Sequence, residues 1–393
     1  MALRIYMDHA ATTPVDPRVA SAMEPYLRAE FGNASSLHEP GRRARAAVEE
    51  ARERVAALIS ASPDEIVFTA SGTESNNMAL AGTADASGLS GARIITSAIE
   101  HPSVLETARH LSRRGTMVTS LPVNDEGLVD PAALLAALRP EVRLISIMAA
   151  NNVVGTIQFL TELAQMARES GVLFHTDAVQ AAGKIPLNVR ETPVDLMSIS
   201  AHKLHGPKGV GALYVRRGAR IEPLIRGGGQ ERGLRSATEN VAGIVGFGCA
   251  AELARTTMAA ENVKLVALRD RIIGAVIERV PGTNLIGHPT RRLPGHICLG
   301  FHGLEGEAIK LLLELDEAGI AISSGSACSA HHAGEPSHVL LAMGFDPVCA
   351  RGSLRITLGR FNTHKEVDRL LKILPNAVAS LRPGMTRCAT TKP

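Results

Sequence analysis

Seven short apolar runs recur between residues 66 and 215: IVF (66–68), RIIT (93–96), MVTSL (117–121), VRLISIM (142–148), VLF (172–174), LMSIS (196–200) and GALYV (211–215). They lack the sustained apolar/polar alternation of strands with one wet face. Non-alternating runs separated by helix-like segments predict strands buried on both faces of a mostly parallel sheet. One separating segment, RRARAAVEEARERVAALI (42–59), puts Ala44, Ala47, Val48, Ala51, Val55 and Leu58 on one helical face.

The pattern changes near residue 260. A long helix is expected over 262–280, followed by fewer strands and more helix. GSLRITLGR (352–360) alternates, with Leu354, Ile356 and Leu358 facing one way and Ser353, Arg355 and Thr357 the other. The expected architecture is α/β. A large domain over 14–260 holds a mostly parallel seven-stranded sheet between helices, and 1–13 with 261–393 form a smaller α+β domain. Within the latter, the long polar segment SSGSACSAHHAGEPSH lies between Ile322 and Val339 and contains the cysteine loop (323–337), and loops of this length are usually functional or mobile. The end, RPGMTRCATTKP, reads as a frayed tail.

Composition narrows the function classes. The chain has 393 residues, 45% hydrophobic and 21% charged, which suits a globular protein with more than one domain. A net charge of +3 and 3% aromatics argue against nucleic-acid binding by bulk charge or base stacking. No stretch reaches the roughly 20 apolar residues of a membrane span, and MALRIYMDHAATTP has no apolar core of signal-peptide length. The five cysteines (Cys249, Cys298, Cys328, Cys349 and Cys388) are odd in number, scattered and without a CxxC pair. A disulfide framework or zinc site is not expected, and a reducing cytoplasmic setting is.

The candidate chemistry gathers at strand ends, where open α/β sheets hold ligands. HTDAVQ (175–180) and MSISAHKLHGPKG (197–209) each follow an apolar run. Lys203 can form a Schiff base with a carbonyl cofactor, and Asp177 can keep a pyridine nitrogen protonated. Alone, Asp177 reads equally as a strand-end cap and Lys203 as a surface lysine. Lys208 competes, but Ser200, His202 and Lys203 leave the strand together. SGTESNNMALAG (71–82) follows IVFT, and Ser71 with Glu74 fits a capping box. Gly72 and Thr73 there offer a phosphate free N–H groups and a hydroxyl, or are merely the start of a helix. Asn151 and Asn152 also sit off a strand end, where Asn152 can bond a cofactor hydroxyl or hold a turn. His101 can stack on a flat cofactor or start a helix before Pro102.

Cys328 lies among small residues in SSGSACSAHH, where a thiol can travel, although most cysteines are buried and inert. His331, His332 and His338 can lower its pKa when protonated, or join it around a metal, but Cys-x-x-His-His is not a recognised closed zinc pattern. Arg355 can clamp a carboxylate or be a solvated strand residue. Asn33, in FGNASS, says nothing by itself.

Taken together the chain resembles the cysteine desulfurases of the NifS/IscS type, within the fold-type I enzymes that use pyridoxal 5'-phosphate. The resemblance runs from YMDHAATTPVDPRV to SLRITLGRFNT through DHAATT, FGN-SS-H, TASGTESNN, EHPSV, NN--GTIQ, HTDAVQ, SISAHKLHGPKG, GGGQERG-RSATEN, SSGSACS and EPSHVL-AMG. It implies that Lys203 carries the Schiff base, Asp177 pairs with the pyridinium, and Asn152 and Gln180 face the ring's 3-oxygen. It further implies that His101 stacks on the ring and that Gly72, Thr73, Ser200 and His202 hold the phosphate. Thr238 would reach the partner's phosphate in a homodimer. Arg355 and Asn33 would hold the carboxylate of L-cysteine, and Cys328 would accept its sulfur for an acceptor protein.

No resident metal is implied. Relatives of this kind serve iron–sulfur cluster assembly, tRNA thiolation and DNA phosphorothioation. Val153, Ala237 and Ala34 stand where the family often has Glu, Gly and Pro, and the segment after Cys328 is richer in histidine than usual. Transamination, a non-catalytic sulfur-pathway scaffold and a metal-binding module are the rival readings.

Overall fold

The computed structural model describes residues 4–88, 91–325 and 335–382. The seven apolar runs form one sheet. Its spatial order is Ile66–Thr69, Gly211–Val215, Leu196–Ser200, Leu173–Asp177, Val142–Ser146, Arg93–Ser97 and Met117–Leu121. Gly211–Val215 runs antiparallel to both neighbours, and the other pairs are parallel. Successive residues feed opposite cores. Phe68, Ile95, Ile145 and Phe174 join one, and Val67, Ile94, Leu144 and Leu213 the other. That double burial is why six of the runs carry no polar alternation. The edge strand Met117–Leu121 departs from the expectation, because it has one neighbour and only Leu121 is buried.

One face is covered by the helices Glu39–Leu58, Leu160–Glu169 and the first half of Val241–Arg279. The helices Gly72–Ala86 and Pro102–Arg113 cover the other. The expected helix 262–280 is the second half of this 39-residue helix, which starts at Val241 with Asn240 as its cap. GIVGFGCAA carries three glycines, each a poor helix former, so its periodicity and propensity hide the helix. Packing is what demands them. A Cβ on Gly248 would lie 2.6 Å from Ala51 Cα of the facing helix. Gly248→Val is expected to cost about 1–3 kcal/mol by overpacking, measured as a lower urea midpoint at unchanged slope.

A second core joins Ile5 and Met7 to Leu268, Ile272, Val276, Ile297, Leu354 and Ile356. It packs on an antiparallel sheet ordered Ser323–Ser324, Leu354–Thr357, His296–Phe301 and Thr283–Leu285. The N-terminal strand Ile5–Tyr6 pairs in parallel with Ile320–Ala321. Beyond it, the chain crosses to the large sheet, where Thr13 N–H donates to His202 O (3.1 Å) and His205 N–H to Thr13 Oγ1 (2.9 Å). This crossing lays residues 8–13 over Lys203. The tail 383–393 lies outside the described residues.

Candidate active site

The carboxyl ends of the parallel strands open into a cleft of about 380 Å³. Gly72, Thr73, His101, Asn152 and Asp177 line it, together with Gln180, Ser200, His202, Lys203 and Arg355. Ten residues chosen from separate motifs thus converge on one space. Asp177 ends its strand, and Ser200 ends the next, with Lys203 on a single 3₁₀ turn directly after it. Lys208 is exposed and does not line the cleft, whereas Lys203 does.

Lys203 Nζ donates to the carbonyls of Ala10 (2.5 Å) and Ala11 (2.6 Å). Asp177 is only 5% exposed, and its carboxylate is aimed by two donors, Asn76 Nδ2 to Oδ2 (2.7 Å) and Val179 N–H to Oδ1 (2.9 Å). Asn76 also donates to Ser103 Oγ (2.8 Å), which meets His101 Nδ1 at 2.7 Å. Ser103 N–H donates to the same Nδ1 (3.1 Å), so His101 both caps its helix and lines the cleft. A neutral His101 therefore carries its proton on Nε2, an assignment made from the hydrogen-bond network. Burial lowers its pKa, Lys203 and His338 act the same way, and Asp177 opposes them. Burial with the nearby Lys203 and Lys208 likewise pushes His202 down to about 4.

The helix at Gly72–Ala86 begins as the motif predicts, with one difference. Ser71 Oγ accepts from Glu74 N–H (3.1 Å), but the Glu74 carboxylate accepts from Ala70 N–H (2.9 Å) and pairs with Arg235 (2.8 Å), so the box is not reciprocal with Ser71. First-turn N–H groups have no acceptor inside a helix, and those of Gly72 and Thr73 open on the cleft. A Cβ on Gly72 would lie 2.6 Å from Val179 Cγ2 and 3.4 Å from Ser200, filling the hollow that an anion would use.

Arg355 is 1% exposed, so it is not a solvated strand residue. Its Nη1 donates to Asn152 O (3.0 Å) and its Nη2 to Asp8 Oδ1 (2.9 Å), while its buried Nε has no partner among the described residues. Burial raises the Asp8 pKa, against the pull of Arg355. Ser323 pairs directly with Arg355 across the small sheet, so the SSGSAC segment starts beside the clamp. His338, the first residue after the 323–337 loop, has its Nε2 3.0 Å from Glu100 O, next to His101 in the chain.

Other expected residues lie elsewhere. Asn151 holds a turn, accepting from Val153 and Val154 N–H and donating to Ile99 O, while its neighbour Asn152 faces the cleft. Asn33 is exposed, and its side chain accepts from Ser35 N–H (2.8 Å) rather than lining its own chain's cleft. Thr238 is exposed and outside that cleft too. Cys328, His331 and His332 lie outside the described residues. Cys249, Cys298 and Cys349 are free thiols that do not line the cleft, and burial pushes Cys298 up to about 12. Among the described residues no group of three His, Cys, Asp or Glu could hold a metal, and no helix is long and apolar enough to cross a membrane. Asn76 and Ser103 were not legible as site residues. Asn76 stands one helical turn after Gly72 in SGTESNN, and that spacing was the available signal.

Residues 5–370 match the model of the aminotransferase class-V family. The chain belongs to that family. Its members depend on pyridoxal phosphate, and the anion hollow at Gly72, the aimed carboxylate of Asp177 and the amine of Lys203 fit that cofactor. The class-V chain is 50% identical to a cysteine desulfurase IscS of Dictyoglomus turgidum, with 97% of this chain and 96% of that protein covered. Among solved structures it resembles a NifS-like protein at TM-score 0.90 and 40% identity, covering 96% of this chain and 100% of that one. It also resembles SspA in complex with cysteine, at TM-score 0.79 and 35% identity, covering 91% and 100%.

Proposed function

We propose that the protein is a cysteine desulfurase that converts L-cysteine to L-alanine and leaves the sulfur as a persulfide on Cys328. The observation that carries this reading is the buried Arg355 guanidinium. It has an unpartnered Nε, shares a cleft with Lys203 and Asp177, and lies opposite Ser323 where the SSGSAC segment begins. A transaminase needs the first three residues but no thiol on a neighbouring loop. Near-complete coverage by relatives named cysteine desulfurase supports the same choice.

In this reading the Arg355 guanidinium, which lines the cleft, binds the amino acid's carboxylate while Asp8 and Asn152 keep it in place. Lys203 takes the Cα proton and can rest as an ammonium against the Ala10 and Ala11 carbonyls. Pyridoxal phosphate, when bound, supplies the electron sink that makes this proton removable. Asp177, aimed by Asn76, faces the pyridine nitrogen, and neutral His101 covers the ring. Gly72, Thr73, Ser200 and His202 hold the phosphate. Asn152 and Gln180 face the ring oxygen. The Cys328 thiolate attacks the substrate's sulfur, so a C–S bond breaks, an S–S bond forms, and protonation of the carbon yields alanine.

Thr238, exposed outside its own cleft, fits a role at the phosphate of a second copy, and we infer a homodimer. A cytoplasmic setting and delivery of sulfur to an acceptor protein for iron–sulfur cluster assembly complete the proposal. Co-purification of the native protein with its acceptor tests that destination. Cys328→Ala is expected to bind the cofactor normally and yet lose at least about a hundredfold in sulfide release with dithiothreitol. Release at the wild-type rate would remove the persulfide step.

A further inference from the structure

The back of the cleft carries a second lysine that the mechanism above does not use. Successive turns after the strand Leu173–Asp177 put Gln180 and Lys184 on the same side of the chain. Lys184 Nζ donates to Gln180 Oε1 (3.1 Å), and Gln180 Nε2 donates to Ala10 O (2.9 Å). The same carbonyl receives Lys203 Nζ. A chain of contacts thus runs from Lys184 through Gln180 and Ala10 to Lys203. Its outer end is anchored as well, because Asn262 Nδ2 from the long helix donates to Lys184 O (2.9 Å).

The donor types give this chain a direction. As an ammonium, Lys184 has hydrogens to give and no lone pair, so it can donate only to the oxygen end of a carboxamide. With Oε1 turned to Lys184, the Gln180 nitrogen is turned to Ala10 and the cleft. One of its two hydrogens meets Ala10 O, and the second is left for an acceptor in the cleft. Without a fixed donor behind it, a carboxamide can turn over and present oxygen to oxygen. Lys184 is half-buried and lines a hollow with His9, His205, Glu261, His296 and Arg360.

We propose that Lys184 is a positioning residue of the cofactor site, holding the Gln180 carboxamide so that its nitrogen faces the ring oxygen of pyridoxal phosphate. This rests on the placement of Gln180 in the preceding reading and goes beyond it. Burial, with Lys203 and Arg355 adding to it, pushes Lys184 down to about 7, so holding this donor beside two other cations carries a cost.

The test uses the full chain and two readouts, the cofactor dissociation constant and the position of the bound cofactor's visible band at one pH. Lys184→Met keeps the length and removes the donor. It is expected to weaken cofactor binding about tenfold and shift the band, while Lys184→Arg stays within about threefold of wild type. In a Gln180→Ala background, Lys184→Met should add nothing, because the group it orients is gone. A Lys184→Met protein indistinguishable from wild type, or an effect that adds in full to Gln180→Ala, overturns the proposal. Should Lys184→Met not fold, Lys184→Leu takes its place with the same two outcomes, since leucine also has no donor. A wild-type protein that gains no visible band with pyridoxal phosphate overturns the preceding reading instead.

Discussion

Lys203→Ala is expected to lose alanine production from L-cysteine by at least about 10⁴-fold, because one side chain both attaches the cofactor and moves the Cα proton. The fold should survive. Lys203 Nζ bonds two backbone carbonyls, and after its removal Ala10 O still accepts from Gln180 Nε2. The stability change should stay within about 3 kcal/mol, the upper worth of a hydrogen bond from a charged donor. Circular dichroism and a urea titration check that part. Borohydride reduction of the cofactor-loaded wild type, followed by peptide mass spectrometry, should label Lys203 and leave Lys184 and Lys208 unlabelled. Label on either of those lysines, or more than a hundredth of wild-type turnover in Lys203→Ala, would move the chemistry to another amine.

Asp177→Asn should be the next most damaging change. Both carboxylate oxygens accept from N–H donors, Asn76 Nδ2 at 2.7 Å and Val179 N–H at 2.9 Å. An asparagine must point its NH₂ at one of these donors, so the shape is kept but one contact becomes donor against donor. The negative charge is lost as well. Removing one preorganised electrostatic partner typically costs about 10²–10³-fold in turnover, and a similar loss is expected here, with weaker cofactor binding. Asp177→Glu keeps the charge and misplaces it, so it should fall between. Steady-state kinetics and cofactor titration of the three proteins give the ranking. An Asp177→Asn enzyme with more than about a tenth of wild-type turnover would show that this carboxylate does not serve the pyridine nitrogen.

The parts of the fold that were legible are those set by local pattern. Strands buried on both faces read as mostly apolar runs, and six of the seven in the large sheet did. Met117–Leu121 lies at the sheet edge with Met117 and Ser120 exposed, so the expectation of double burial fails there. The first half of the helix Val241–Arg279 did not, because Gly246 and Gly248 are there for close approach to Met23 and Ala51. Arg355 looked polar-facing by alternation and is buried, and its guanidinium meets Asn152 of the large domain and Asp8 of the N-terminal crossing. Within the site, Lys203, Asp177 and Gly72 stood at strand and helix ends that periodicity exposes. Asn76, Ser103 and Lys184 did not stand out, because each acts through a partner far away in sequence or through an unremarkable turn.

By itself the sequence determined the α/β class, the strand ends that carry the polar motifs and the type of chemistry those residues can perform, because these depend on spacing along one chain. The tertiary structure alone decided which lysine lies in the cleft and that Asn152 rather than Asn151 lines it. It also placed Asp8 and Asn152 against the Arg355 clamp and the 8–13 segment over Lys203. The reason is physical. These are contacts between residues up to 347 positions apart, and only the packing of two cores brings such distant groups within hydrogen-bond reach.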